Sequence, residues 1–148
     1  MNVLGVDELQ AVLVDAFPGN EVPRVEAVDD ESVTMSLPVD DRHGRPGGTL
    51  SGPTMMMLAD TAAWMAILAR VGPILLAVTT SLHIDFLRKP QLSDLMAVTR
   101  VLKLGRKLAV VEVELFSRGS RDLVAKAQVT YSLPSTPSPG AEPAALDQ

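Results

Sequence analysis

Asp60 is the side chain with the clearest chemical potential, because it interrupts a long apolar stretch. It lies between the segments 57–59 and 62–64, which contain only apolar residues. An ionised carboxylate in such surroundings costs free energy unless it is hydrogen-bonded or takes part in chemistry. Asp60 is therefore a candidate general base or nucleophile. The structural alternative is the N-cap of a shorter helix that begins at Thr61.

Gly52 is the second candidate, because it directly precedes Pro53, and proline is well suited to the first turn of a helix. The amide of Gly52 would then lie at the positive end of the helix, where an N–H group can stabilise a developing oxyanion. Glycine also lets a ligand approach the backbone closely. The alternative is that Gly47, Gly48 and Gly52 simply form a flexible loop.

A long helix over 53–71 is predicted to carry Asp60. Pro53 suits its start, Gly72 suits the position after its end, and the interior consists of good helix formers. Four polar residues interrupt an otherwise apolar helix, whereas a surface helix would have a polar side. We expect this helix at the centre of the fold, with a second subunit needed to bury every face.

The other elements predict an α+β domain with an antiparallel sheet of about six strands wrapped around the central helix. An acidic turn separates the first two strands, and Gly- or Pro-containing turns separate the later ones. The domain should span 1–133, with a disordered tail over 134–148. The expected elements are a helix over 6–16, strands over 22–28, 32–39, 75–87, 95–104, 108–116 and 123–133, and a loop over 40–52.

Composition excludes several classes of function. The chain has 148 residues, no cysteine and a net charge of -5, which opposes non-specific attraction to nucleic acid. A disulfide framework and a thiolate site are impossible, and His43 and His83 do not have the spacing of metal ligands. The start has no secretory pattern, and no uncharged apolar run reaches the length of a bilayer span. We expect a cytoplasmic protein without membrane, nucleic-acid or metal partners.

Basic residues are concentrated in the second half of the chain. The segment 88–126 contains nine bases and four acids. The simple interpretation is that these are solvated side chains at the ends of strands. The functional interpretation is a patch for a phosphorylated ligand, with Arg88, Lys89, Arg106 and Lys107 as its candidates.

Three motifs resemble the hotdog-fold acyl-CoA thioesterases, in particular the branch that includes the phenylacetate-pathway enzymes. They are GTLSG at 48–52, LADTA at 58–62 and IDFLR at 84–88, the last followed by Pro90. The resemblance extends from about Val22 to Leu133. It implies a hotdog fold and the hydrolysis of acyl-CoA, with CoA as part of the substrate and no bound cofactor.

The resemblance also implies roles for individual residues. Asp60 would activate water or attack the thioester carbonyl, and the Gly52 amide would hold the oxyanion. Dimerisation, or a dimer of dimers, would complete each site. A hydroxyl on the strand after the helix would help to place the water or carboxylate, which points to Thr79 with Thr80 as its neighbour, although threonine in strands is usually structural.

Two positions depart from the family pattern and keep other functions open. Ser51 stands where the family commonly has histidine, and Arg45 where it often has asparagine; both remain candidates for substrate binding. The departures leave a catalytically silent acyl-CoA-binding protein as an alternative. A hotdog-type enoyl-CoA hydratase or dehydratase is another, although no paired histidine and carboxylate lies beside the helix. Ser51 lacks the Gly-x-Ser-x-Gly elbow of a serine hydrolase.

Overall fold

The computed structural model describes residues 2–39, 44–45, 49–91 and 93–135. These residues form two helices and eight strands. The helices are α1 (Val6–Ala16) and α2 (Gly52–Val71). The strands are β1 (Arg24–Val28), β2 (Val33–Leu37), β3 (Gly44–Arg45), β4 (Thr49–Leu50), β5 (Val78–Phe86), β6 (Leu95–Leu104), β7 (Leu108–Ser117) and β8 (Ala125–Ser132).

Helix α2 is one continuous element, so the alternative in which Asp60 caps a shorter helix is wrong. Ser51 is the N-cap, and proline follows within the first turn. The helix stops at Gly72, whose φ of 95° is a conformation that side-chain-bearing residues rarely adopt. Its amide donates to the carbonyl of Leu68 at 2.9 Å, which satisfies one of the last carbonyl groups.

Six strands form one antiparallel sheet in the order β1-β2-β6-β7-β8-β5, so β1 and β5 are its edges. Inward and outward residues alternate clearly along β7 and β8. The inward side chains of Val111, Val113 and Val129 are fully buried against α2. The predicted α+β architecture of about six strands around one helix is confirmed.

One face of α2 is open in the single chain. Met56 and Met57 are each 40% exposed, whereas Leu58 and Ala59 are fully buried. This agrees with the expectation that one chain alone does not bury every face of α2, and the second subunit stays a prediction. Edge strand β5 is also largely exposed. It borders α2, because Thr79 is bonded to Asp60 and Phe86 lies beside Gly52.

The segment predicted as a loop is partly strand. Within 40–52, β3 pairs with β4, with Gly44 opposite Leu50 and Arg45 opposite Thr49. Two-residue strands are too short to produce any periodic pattern, which explains why the sequence did not indicate them. The predicted disordered tail lies outside the described residues from 136 onward.

Helix α2 is long and apolar enough to cross a bilayer by length and composition alone. It contains two charged residues, Asp60 and Arg70, so the expectation that no uncharged apolar run reaches the length of a bilayer span still holds. In addition, 61% of its apolar stretch is buried within the domain, which is typical of the core helix of a globular protein.

Candidate active site

Three elements bring polar side chains to Asp60. Thr79 in β5 lies opposite Tyr131 in β8, and both side chains face α2 across this antiparallel pair. The Thr79 hydroxyl donates to Oδ1 of Asp60 at 2.7 Å. The Tyr131 hydroxyl lies 2.9 Å from the same Oδ1 and 2.9 Å from the backbone oxygen of Asp60. Oδ1 is thus held by two hydroxyl groups.

The other carboxylate oxygen is left available. Among the residues that the structure describes, none donates a hydrogen bond to Oδ2 of Asp60. Asp60 itself is only partly buried. The carboxylate is therefore fixed through one oxygen and can use the second as a base or nucleophile.

The surroundings of Tyr131 keep its hydroxyl group protonated, so that it can donate a hydrogen bond. Its side chain is only 4% exposed. Burial is the main reason why the pKa of Tyr131 rises above its usual value; the Asp60 carboxylate raises it further, and the hydrogen bond with Thr79 acts in the opposite direction. The phenol therefore keeps its proton at neutral pH.

An apolar hollow of about 320 Å³ adjoins these polar groups. Phe17, Trp64, Leu75 and Val78 contribute to its wall, together with Asp60, Thr79 and Tyr131. The rings of Phe17 and Trp64 meet edge to face, with centroids 6.4 Å apart. An apolar wall around a few convergent polar groups is typical of a site for a small organic ligand.

Gly52 lies at the start of α2, as predicted, where first-turn amides have no acceptor within the helix. A Cβ added to it would lie 3.4 Å from the Phe86 ring, which is ordinary van der Waals contact, so the start of α2 lies beside the end of β5. Asp60 is eight residues further along α2. At the rise of an α-helix, eight residues separate the two by about 12 Å. Asp60 and Gly52 of the same chain are therefore too far apart to act on one carbonyl group of a substrate.

The structure separates the remaining candidates by role. Ser51 Oγ accepts from the Thr54 amide at 3.2 Å and shares a 2.8 Å hydrogen bond with the Thr54 hydroxyl, so it acts as a helix cap. Arg45 pairs with Thr49 through the backbone of β3. Thr80 is the extra residue at a bulge in β5, and Thr79 rather than Thr80 donates to Asp60.

Substituting Ser51 distinguishes a cap from a substrate contact. Ser51→Ala should lower the free energy of unfolding by about 1 kcal/mol, because the Thr54 amide loses its acceptor, whereas Ser51→Gly should cost only a few tenths. Urea unfolding measures both. A Ser51→Ala protein of unchanged stability but raised KM would instead support the predicted role in substrate binding.

The four predicted phosphate-binding bases form two separate pairs within one chain. Arg88 and Lys89 follow the end of β5, and the Arg88 guanidinium donates to the Leu123 carbonyl at 2.8 Å. Arg106 and Lys107 form the β6–β7 turn, beside a hollow of about 590 Å³ at the C-terminal end of α2. The Lys107 carbonyl accepts from the Leu133 amide, just beyond β8. The pairs therefore lie at opposite ends of the sheet.

Histidine does not contribute to this site within the described part of the chain. His83 Nε2 lies 3.1 Å from Oδ2 of Asp85, and both side chains are exposed. No group of three potential metal ligands is found among the described residues. His43 lies outside the described residues.

Sequence reasoning missed Tyr131. The signal was present, because Ala125, Ala127, Val129 and Tyr131 alternate along one face of a strand and a buried tyrosine hydroxyl usually needs a partner. The identity of that partner depends on how β8 and β5 align beside α2, which is a tertiary contact between residues 71 positions apart.

The long helix and the antiparallel sheet around it define a hotdog fold. Residues 47–124 match the thioesterase superfamily. A Pseudomonas aeruginosa protein, provisionally named an esterase, is 35% identical over 103 residues, which are 69% of this chain and 75% of the relative. The chain belongs to the thioesterase superfamily and is a hydrolase.

Solved structures agree with this assignment. A provisionally assigned thioesterase from a Silicibacter species is 44% identical, with a TM-score of 0.82 over 90% of this chain and 94% of the other. A hypothetical thioesterase from Streptococcus pneumoniae, solved with coenzyme A, is 21% identical, with a TM-score of 0.69 over 90% of this chain and 99% of the other. The second likeness is one of fold. Placement in the phenylacetate branch stays a prediction.

Proposed function

We propose that this protein hydrolyses acyl-CoA thioesters to the free acid and CoA, with Asp60 as general base or nucleophile. The observation that carries the proposal is a carboxylate beside an apolar hollow, whose Oδ1 is held by two hydroxyls and whose Oδ2 receives no hydrogen bond from the described residues. The Streptococcus pneumoniae protein of the same fold was solved with coenzyme A, which supports CoA as the carrier of the acyl group.

The reaction needs one base and one oxyanion donor. As a general base, Oδ2 of Asp60 takes a proton from water while the water oxygen bonds to the thioester carbonyl carbon. The carbonyl oxygen becomes an oxyanion, which a helix-start amide stabilises. The C–S bond then breaks and the proton passes to the sulfur, which gives a carboxylic acid and a thiol. As a nucleophile, Oδ2 attacks the carbonyl carbon and the C–S bond breaks, which forms an anhydride and releases the thiolate. Water then hydrolyses the anhydride to the carboxylic acid, the Asp60 carboxylate and a proton, which the thiolate takes up.

A second copy of the chain supplies the oxyanion donor in this proposal. Edge strand β5 has Val78 59% exposed at its start and Phe86 49% exposed at its end. Two copies related by a two-fold axis would pair these edges antiparallel, so that the start of one β5 lies beside the end of the other. Asp60 lies at the start of β5, where it is bonded to Thr79, and Gly52 lies near the end of β5, beside the Phe86 ring. Each dimer would thus unite one copy's Asp60 with the other copy's Gly52.

The same pairing would bring the two pairs of bases to one side. Arg88 and Lys89 follow the end of β5, whereas Arg106 and Lys107 lie near its start, across β8. The strand has nine residues, so its ends are about 26 Å apart in one chain. An antiparallel partner removes that separation, which makes a shared site for CoA phosphates geometrically consistent.

Removing Arg106 and Lys107 should therefore weaken substrate binding. The double variant Arg106→Ala/Lys107→Ala should raise KM about tenfold at low salt with kcat little changed, and the difference should shrink as salt screens the exposed charges. Arg121→Ala, at an exposed base beyond β7, is the matched control and should leave KM unchanged. An equal KM in the double variant and the wild type would remove these bases from the site.

A thiol-release assay over short, long and aromatic acyl-CoAs tests the proposed reaction. We expect the folded wild-type protein to release CoA thiol from at least one class, and the aromatic members test the phenylacetate branch. Binding by calorimetry with no thiol release from any class would instead identify a silent acyl-CoA-binding protein. Hydration of an enoyl-CoA without cleavage would identify a hydratase.

A further inference from the structure

Tyr131 joins the main chain of α2 to the side chain that the proposed reaction uses. Its hydroxyl is 2.9 Å from both the backbone oxygen and Oδ1 of Asp60, so its one proton is shared between two acceptors. Both acceptors belong to the same residue. A donor that bridges a carboxylate to its own carbonyl restricts the rotation of that side chain.

We propose that Tyr131 is the positioning residue of this site, which fixes the Asp60 carboxylate so that Oδ2 meets the water or the thioester carbonyl. The inference rests on the proposed thioester hydrolysis. Tyr131 acts through Asp60 and is not itself assigned a contact with substrate. No other tyrosine exists in the chain to take over this role.

The terminal torsion of an aspartate is broad and roughly two-fold, so an unrestrained carboxylate exchanges its two oxygens. Thr79 and Tyr131 both bind Oδ1, and exchange would break both hydrogen bonds at once. Tyr131 is buried on β8, which has a neighbouring strand on both sides within the single chain. Its position therefore does not depend on a second copy, whereas the neighbour of Thr79 beyond β5 would come from the partner.

The arrangement also survives a change in the protonation of Asp60. When Oδ2 holds a proton, Oδ1 remains a hydrogen-bond acceptor. Both hydroxyl groups can therefore keep donating while Asp60 accepts and returns a proton. The burial of Tyr131 keeps its own proton in place, so this donor does not become a competing base.

Tyr131→Phe tests the proposal, because it keeps the ring and removes only the hydroxyl. We expect kcat to fall about tenfold to a hundredfold with KM changed less than about threefold, since the substrate still binds but the base is misaligned. A lowered kcat with a nearly unchanged KM is the result that a merely structural role of the hydroxyl would not give.

Thr99→Val is the matched control for loss of a buried hydroxyl. Thr99 is buried in β6, where its hydroxyl accepts from the Val33 amide at 2.9 Å and donates to the Val33 carbonyl at 3.1 Å. Both variants should lose thermal stability, but only Tyr131→Phe should lower kcat. Wild-type kcat in a destabilised Tyr131→Phe protein would leave Tyr131 with a purely structural role and overturn the proposal.

A structure of the variant separates failure of this inference from failure of the proposed function. In a crystal structure of Tyr131→Phe, determined without any substrate, the Asp60 carboxylate should rotate away from the orientation that Thr79 and Tyr131 fix in the wild type. An unchanged carboxylate would refute the positioning role even in an active enzyme, whereas a rotated carboxylate in a protein that cleaves no acyl-CoA would refute only the hydrolase proposal.

Discussion

Asp60→Asn is expected to lower kcat about a thousandfold while the protein stays folded. The asparagine oxygen can accept from Thr79 and Tyr131 as Oδ1 does, so the hydrogen bonds that organise the site are retained. The amide nitrogen then takes the place of Oδ2. That nitrogen neither accepts a proton nor attacks a carbonyl group. The substitution therefore removes the base or nucleophile and keeps the geometry of the site.

The thiol-release assay measures this effect at saturating substrate, and thermal unfolding verifies that the variant is folded. Asp85→Asn is the matched control, because Asp85 is an exposed aspartate bonded to His83. It should keep wild-type kcat. If Asp60→Asn also kept wild-type kcat, Asp60 would have no part in the reaction and the proposed mechanism would be wrong.

The sequence predicted the elements whose signals are local. Helix α2 begins within one residue of the predicted start, because proline and glycine mark its two ends. The four later strands agree with their predicted segments within a few residues, because turns separate them and inward residues alternate. The short strands β3 and β4 were missed, because their pairing is decided by tertiary context rather than by periodicity.

The site was predictable only where a residue type conflicted with its surroundings. Asp60 stood out because a carboxylate in an apolar helix needs an explanation, and Thr79 was found through the family resemblance. Tyr131 could not be assigned, because its contact requires the register of β5 and β8. The separation of Arg88 from Arg106 could not be predicted either, because the direction of each strand decides which turns lie at the same end of the sheet.

Mixing two inactive variants should restore activity if the dimer forms as proposed. In Asp60→Asn the base is lost, and in Gly52→Pro the amide hydrogen is lost at a helix position that tolerates proline. Each homodimer should be nearly inactive. Unfolding and refolding the two together should yield about a quarter of the wild-type activity, because half of the dimers are mixed and each mixed dimer has one intact site.

The expected fraction of activity depends on which copy supplies each residue of a site. In a mixed dimer, the intact Asp60 belongs to the Gly52→Pro copy and the intact Gly52 belongs to the Asp60→Asn copy. If the site lies across the subunits, these two intact residues meet. If both residues came from one chain, every site in the mixture would lack one of them and no activity would return.

Gly52→Val gives an independent version of the same test. Its Cβ would contact the Phe86 ring at 3.4 Å, and its two methyl groups would add bulk near the helix start without removing the N–H group. Circular dichroism verifies that either variant is folded, and co-purification with two different affinity tags verifies that mixed dimers form. Recovered activity in tagged, mixed dimers would require a shared site. Its absence there would contradict the proposed pairing of β5 edges, because each mixed dimer would contain an intact Asp60 and an intact Gly52 on different copies without forming an active site.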